Sequence, residues 1–514
     1  MPLGAFKVAL FGSGSGASDT FIAEIRSDTS DSGSALQRNM SGIAVDSDEN
    51  VYIAGYGSKA AGGYQAWFIK TDALFSDFTI NRVSDANATE QGNWYYQDLF
   101  NTRTAGSSTD QIWWGGQVNN VSPEFPRWCA TMKSDLSEET DTFGGFMWYL
   151  NSWPWNNSGN YNNEPRGILA SSDSNILVGN SRLYETQQSY QNAVFNTVFT
   201  KSSSEYAIAY AKSYTPGWAQ NAYTAGNWLR ATGSSSSIWE DHDFYFGTSN
   251  VSYQNGGAQL FRRYGGGHGS EDSHCYYPNT GTINTGSFQL TGKGNYLYLV
   301  CMNNGDSSTH LCKINEFGTS SGDIVWSRET YRTGQNGQQG YQTTPVIDSN
   351  ENIWQTHTYQ YAEGSVNRMG TIIYRYNSSG TIDRCYDLRQ ATDITDAYNY
   401  QFPRQLALSY SEDILYMAFG SYADGTTNTG AYVLAVKTDG STTGTATLGT
   451  GSGPAVDDTT WVLTSDTSYA TSATSDWVKT STSGVSWGSI QPNQFQSITA
   501  TTTAKTGAIT LGAF

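Results

Sequence analysis

At 514 residues the chain exceeds one ordinary compact domain, and its 54 Gly, 34 Tyr and 16 Trp stand beside only 14% charged residues, against a usual ~25%. A formal net charge of −18 excludes a nucleic-acid backbone as partner, since that requires a basic face. No stretch approaches the ~18–20 consecutive apolar residues of a membrane-spanning helix, so no membrane insertion is expected.

The chain opens on MPLGAFKVALFGSGSG, a glycine-broken apolar run with one Lys that does not read as a signal peptide. Residues 5–40 then offer three strand-like pieces, FKVALFG, TFIAEIRSD and SALQRN, a partial repeat without a first strand. From residue 41 a pattern recurs. One copy reads GIAVDSDENVYIAGY (42–56), AWFIKTD (66–72) and FTINRV. Another reads TPVIDSNENIWQTHTY (344–359), GTIIYRYNSSG (370–380) and TIDRCYDL. A third reads QLALSYSEDILYMAFGSY (405–422) and GAYVLAVKTDG (430–440). Each copy is two apolar strands around an Asp/Ser/Asn turn, a longer loop, a third strand ending in a basic residue and a polar fourth strand. Asp, Ser and Asn suit such turns because their side chains bond the local backbone.

The basic residues give a register: Arg26, Lys70, Lys133, Lys201, Arg263, Lys313, Arg375 and Lys437, a period of about 59 residues. Four-stranded sheets cannot bury both faces alone, but a ring of them can. The expected fold is therefore all-β, a β-propeller of about eight four-stranded blades, with seven as the alternative. Residues 1–441 would form the propeller, with the partial blade at 5–40 and repeats at 41–441. Residues 442–514 are Thr/Ser/Gly-rich and read as a closing strand plus an attachment tail. AVDDTTWVLTSD (455–466) resembles a first-and-second-strand unit, so closure is expected where it joins the N-terminal partial blade. The final LGAF repeats the LGAF at 3–6, through paired termini or by chance.

In a propeller the second-to-third and fourth-to-first connections share one face. Here these are long and carry aromatics with amides: NSWPWNNSGNYNNEP (151–165), YTPGWAQNAYTAGNW (214–228), GQVNNVSPEFPRW (116–128), ETYRTGQNGQQGYQ (329–342) and THTYQYAEGSVNRM (356–369). Rings stack on sugar C–H faces and amides bond hydroxyls, which is what a neutral glycan requires. The alternative role of such residues is packing loops together. The candidate glycan contacts are Trp153, Trp155, Tyr161, Trp218 and Tyr361, with Asn156 and Asn157 as amide partners.

No cofactor or metal is expected. GGGHGSEDSHCYY holds His268, Glu271, Asp272, His274 and Cys275, but the spacing is not that of a zinc site. DSDEN (46–50) and DSNEN (348–352) lack the length and terminal Glu of a calcium loop and suit β-turns. Five cysteines, widely spread and without CxxC, are no disulfide framework and point to folding in a reducing compartment. Upper-loop carboxylates are expected at Glu164, Glu240, Asp241, Asp243, Glu271 and Asp272, with no two paired for glycoside hydrolysis. No nucleophile elbow or phosphate loop is present, and the chain is expected to be non-enzymatic.

GIAVDSDENVYIAGY followed by AWFIKTD resembles the bacterial β-propeller repeat of extracellular and viral proteins, over roughly residues 5–440. The Gly/Ser/Thr/Tyr/Asn-rich strands and the ending TTTAKTGAITLGAF also resemble structural proteins of tailed bacteriophages, especially of marine cyanobacterial hosts. That resemblance implies a virion protein assembled in host cytoplasm and exposed outside, such as a tail-fibre or capsid-surface adhesin. Its partners would be other virion proteins and host-surface glycan, in many copies per particle or as a homo-oligomer. The alternatives are a glycan hydrolase or lyase on the same face and a purely architectural subunit.

Overall fold

The computed structural model describes residues 19–85 apart from 28–38 and 59–63, the strand backbones between 93 and 278, and most of 283–514. Of the side chains between 86 and 288, only Tyr276 is described. Among the described residues every regular element is a β-strand.

The strands gather into antiparallel groups, two of which are joined into one ten-stranded sheet by a parallel pairing of Gly226 with Leu290. Group I is Asn39–Val45, Val51–Ser58, Tyr64–Thr71 and Phe78–Asp85. Group II is Asn93–Thr102, Gln111–Asn119, the broken third strand Arg127–Trp128 and Ala130–Lys133, and Met147–Leu150. Group III is Tyr161–Ala170, Ile176–Glu185, Ala193–Ser202 and Glu205–Pro216. Group IV is Ala222–Ala231, His242–Asn250, Gly257–Arg263 and Glu271–Pro278. Group V is Ile283–Lys293, Tyr296–Asn303, Thr309–Asn315 and Ile324–Arg332. Group VI is Val346–Ile347, Ile353–Glu363, Val366–Tyr376 and Ile382–Gln390. Group VII is Tyr400–Leu408, Ile414–Tyr422 and Thr429–Lys437, and its fourth strand is the N-terminal Phe21–Ser27. The basic register therefore marks seven third strands, from Lys70 to Lys437, and Arg26 instead lies on that fourth strand.

The C-terminal strand Gly507–Ala513 pairs with the N-terminal strand Phe21–Ser27, where the expected closure drew on residues 455–466. The N-terminal strand pairs Phe21 with Ala435 and Ile25 with Ala431, while the strand within 455–466 goes to group VI. The pairing is decided by burial: Phe21, Ala23 and Ile25 enter one core with Ala431, Val433 and Ala435, and Ile22 enters another with Leu434 and Trp461.

Residues 442–514 add a further strand to every group. Thr460–Ser465 pairs on group VI, Tyr469–Ala473 on V, Trp477–Ser481 on IV and Val485–Ser489 on III. Phe495–Ile498 follows on II, Ala500–Lys505 on I and Gly507–Ala513 on VII. The segment thus visits the groups in the reverse of chain order, each time antiparallel to the fourth strand. Successive strands rotate by roughly 20–25°, so a fifth strand lies most of a right angle from the first. The segment's two ends meet: Gly444–Thr447 pairs beside Thr460–Ser465, and a Cβ at Gly444 would stand 2.9 Å from the Phe514 backbone.

Neighbouring groups share apolar cores. One joins I and VII (Met40, Ile43, Ile53, Tyr416, Val433), another VI and VII (Trp354, Leu388, Met417, Phe419), another V and VI (Val300, Leu311, Ile353, Ile372). Third-strand residues 309–314 are buried on both faces, as strands sandwiched between two sheets must be.

The turns between first and second strands hold the groups to one another. Asp46 Oδ1 accepts from the Asp48 and Asn50 amides and Oδ2 from Asn50 Nδ2 and the Tyr52 hydroxyl. The fourth turn residue is in the left-handed region at Glu49, Glu351 and Glu412, with φ of 64°, 61° and 62°, a conformation that costs a non-glycine residue about 1 kcal/mol. Each glutamate reaches the preceding group. Glu49 accepts from the Tyr410 and Ser411 amides, Glu412 from the Ser349 amide and hydroxyl, and Glu351 pairs with Lys313 at 2.9 Å. Gly294, with φ of 56°, takes that conformation in group V without a side chain.

Candidate functional site

Alternation along each group puts the first-to-second and third-to-fourth turns on one edge and the other two connections on the opposite, loop edge. Trp153, Trp155, Asn156 and Asn157 belong to the connection between groups II and III and Trp218 to that between III and IV, all outside the described residues. Tyr161 begins the strand Tyr161–Ala170 on the loop edge, with its side chain outside the description. Tyr361 is described. It lies near the loop-edge end of the strand Ile353–Glu363. The carboxylates divide differently from the expectation. Glu240 and Asp241 lie outside the described residues, while Glu271 and Asp272 begin the strand Glu271–Pro278, which starts at the turn edge.

The segment 356–369, read as a loop, is mostly a hairpin, in which Tyr359 faces Gly370 and Tyr361 faces Arg368. Period-2 alternation in THTYQY directs Tyr359 and Tyr361 to one side of the sheet. From the fourth strand of group VI, Asp387 and Arg389 come to meet them, and Arg332 arrives from the last position of group V's fourth strand. The Tyr359 hydroxyl donates to Asp387, at 2.6 Å from Oδ1 and 2.8 Å from Oδ2. Arg389 Nε donates to Asp387 Oδ2 and to the Tyr359 hydroxyl, both at 2.8 Å, and Nη2 also donates to Oδ2. Arg332 Nη2 stands 3.4 Å from the same oxygen.

Asp387 and Tyr359 are fully buried, whereas the Arg389 side chain is 32% exposed. Arg332 lies over the Tyr359 ring at 4.5 Å from its centroid, and Arg389 over Tyr361 at 4.7 Å. Burial, then the Asp387 charge, push the Tyr359 phenol far above its ordinary range, so the hydroxyl is a fixed donor. Burial opposes the Arg389 charge, but the Asp387 hydrogen bond and charge outweigh it and hold the guanidinium protonated. Two cations share one buried carboxylate, which anchors the phenol and both guanidiniums by its hydrogen bonds and charge.

The outer segment backs this cluster. Asp387 pairs in register with Thr464, Arg389 with Val462 and Arg332 with Tyr469. Gly370 is equally necessary: a Cβ there would stand 2.5 Å from the Tyr359 hydroxyl oxygen. Gly370→Ala is expected to displace the ring and leave Asp387 short of a donor, destabilising by about 1–3 kcal/mol. Chemical denaturation checks this, and an unchanged midpoint would mean the ring has another seat.

No family model matches the chain, and no curated protein matches it. Several solved structures align with it, two of which follow. The phage phi92 endosialidase is 10% identical, with 84% of this chain and 71% of that one covered and a TM-score of 0.37. The polysaccharide lyase Uly1 is 8% identical, with 79% and 91% covered and a TM-score of 0.34. Both are named as glycan-active enzymes, and the expectation of a non-enzymatic chain is corrected on that finding.

Sequence reasoning singled out Tyr361 and passed over Tyr359, Arg332, Asp387 and Arg389. The available signal was the i, i+2 spacing of Tyr359 with Tyr361 and of Asp387 with Arg389, which puts each pair on one face of its strand.

Proposed function

We propose that the chain is a glycan-active protein built on a closed seven-bladed propeller, with residues 442–514 as a belt around it. Ring closure is supported by contacts between groups I and VII, far apart in sequence: Ile43 N donates to Gln405 Oε1 at 2.9 Å, and Glu49 caps the turn at Tyr410. In such a ring the loop edges form one face, where Tyr361 and the sequence-named aromatics would be shared out among blades.

The observation that carries the glycan reading is Tyr361, half-buried at that edge and held by Arg389 above a fully bonded Asp387–Tyr359 pair. A ring fixed in this way offers a sugar an apolar surface with little ordering cost. Asp387 is committed to its partners, so acid–base groups for cleavage would come from the adjoining loops. Display in many copies on a virion would turn modest affinity into avidity.

Purified protein incubated with a panel of polysaccharides, read for binding and for new reducing or unsaturated ends, tests this. Binding or cleavage of at least one polysaccharide is expected, reduced tenfold or more in Tyr361→Ala. Folded protein that neither binds nor cleaves any of them would leave an architectural subunit as the better account.

A further inference from the structure

The glycan reading leaves open which substituent the site selects, and the arginines bear on that. Arg389 uses Nε and Nη2 on Asp387 and Tyr359, and its Nη1 makes no hydrogen bond among the described residues. The guanidinium is pinned along one side by those bonds and lies against the Tyr361 ring, while nearly a third of the side chain meets solvent. Arg332 adds a second cation against the same Asp387 oxygen. It does so in a chain whose formal net charge is −18.

An acidic chain repels anions over most of its surface, so an anion would collect only where cations are fixed. A planar guanidinium with one side held is preorganised for a carboxylate or sulfate on the other. Neutral sugars need no such group. We propose that Arg389, seated on Tyr361 and supported by Arg332, takes the anionic substituent of an acidic polysaccharide, which makes the ligand charged rather than neutral. This rests on the glycan reading above and refines it. Arg332 acts here as a positioning residue: it lies over the Tyr359 ring and against Asp387.

The test uses the full chain and compares polygalacturonate with its carboxyl-reduced form, a sulfated galactan with its desulfated form, and dextran. The wild-type protein is expected to bind one acidic member at least tenfold more tightly than its neutralised counterpart, and to lose that preference as salt rises from 0.05 to 0.5 M. The preferred member tells carboxylate from sulfate. Arg389→Gln should lower the acidic affinity at least tenfold, and Arg389→Lys, which keeps the charge without the planar fork, should restore part of it. The carboxyl-reduced and desulfated arms need no variant, so a folding defect in Arg389→Gln leaves the test intact. Equal binding of charged and neutral forms, or acidic binding that survives in folded Arg389→Gln, overturns the proposal while the glycan reading stands. No binding to any polysaccharide overturns both.

Discussion

Deleting residues 442–514 is expected to abolish the stably folded protein. The segment supplies buried side chains as well as outer strands. Trp461 and Leu463 are fully buried and Trp477 nearly so, and Trp461 meets Phe419 and Tyr432 edge-on at 5.4 Å. Removing two such tryptophans and a leucine costs about 10 kcal/mol before any backbone pairing is counted, comparable with the whole margin of a typical fold. The fourth strand of every group would also become an open edge, and open edges pair with other chains. Light scattering after size exclusion, with thermal unfolding, reads the outcome. A truncated chain that keeps the assembly state of the full chain with an unchanged Tm would show that the segment decorates the groups without holding them. A peptide of residues 442–514 added in trans is expected to restore the fold in part. The same deletion removes the strands that pair with Arg332, Asp387 and Arg389, so the candidate site should fail with it.

How far the sequence carried is clearest at particular elements. GIAVDSDENVYIAGY foretold the hairpin of Asn39–Val45 and Val51–Ser58, because both strands are apolar and an Asp begins the turn between them. The role of Phe21–Ser27 was not legible. It has the composition of a third strand, and its place beside Thr429–Lys437 is set by cores formed with residues some 400 positions away. The outer strands were still less visible. ATTTAK and YATSA face a fourth strand on one side only, so little apolar pattern is required of them, and no local signal names the partner. The site divides likewise. Tyr361 stood out as an aromatic among amides, but Asp387 and Arg389 sit inside a strand pattern, and their meeting with Arg332 depends on the packing of group V on group VI.

Alkaline unfolding is the other large effect. Burial is the leading cause that raises the phenol of Tyr298, Tyr359, Tyr376 and Tyr416 well above the ordinary value, and it lifts Tyr386 to about 12. The thiols of Cys301 and Cys312 are raised for the same reason. In each case the folded state keeps a proton that the unfolded chain releases near pH ~10 for tyrosine and ~8.5 for cysteine. The stabilisation is therefore complete below those values and is lost as pH climbs toward the folded ones. Each buried phenol contributes about 1.4 kcal/mol of loss per pH unit above 10, so five acting together remove roughly 7 kcal/mol by pH ~11. That approaches the margin of an ordinary fold, and cooperative unfolding near pH ~11 follows. Phenolate absorbance in the near ultraviolet should rise in two parts, a gradual one from exposed tyrosines and a steep one coincident with loss of the β signal in circular dichroism. Tyr416→Phe should make the pH dependence shallower by one proton, although it also gives up the hydroxyl's bond to the Ala73 carbonyl at 3.1 Å. Complete, gradual ionisation of every tyrosine in a fold that stays intact would mean that these phenols reach solvent through motions of the native fold, and that the cores between the groups open far more readily than their burial implies.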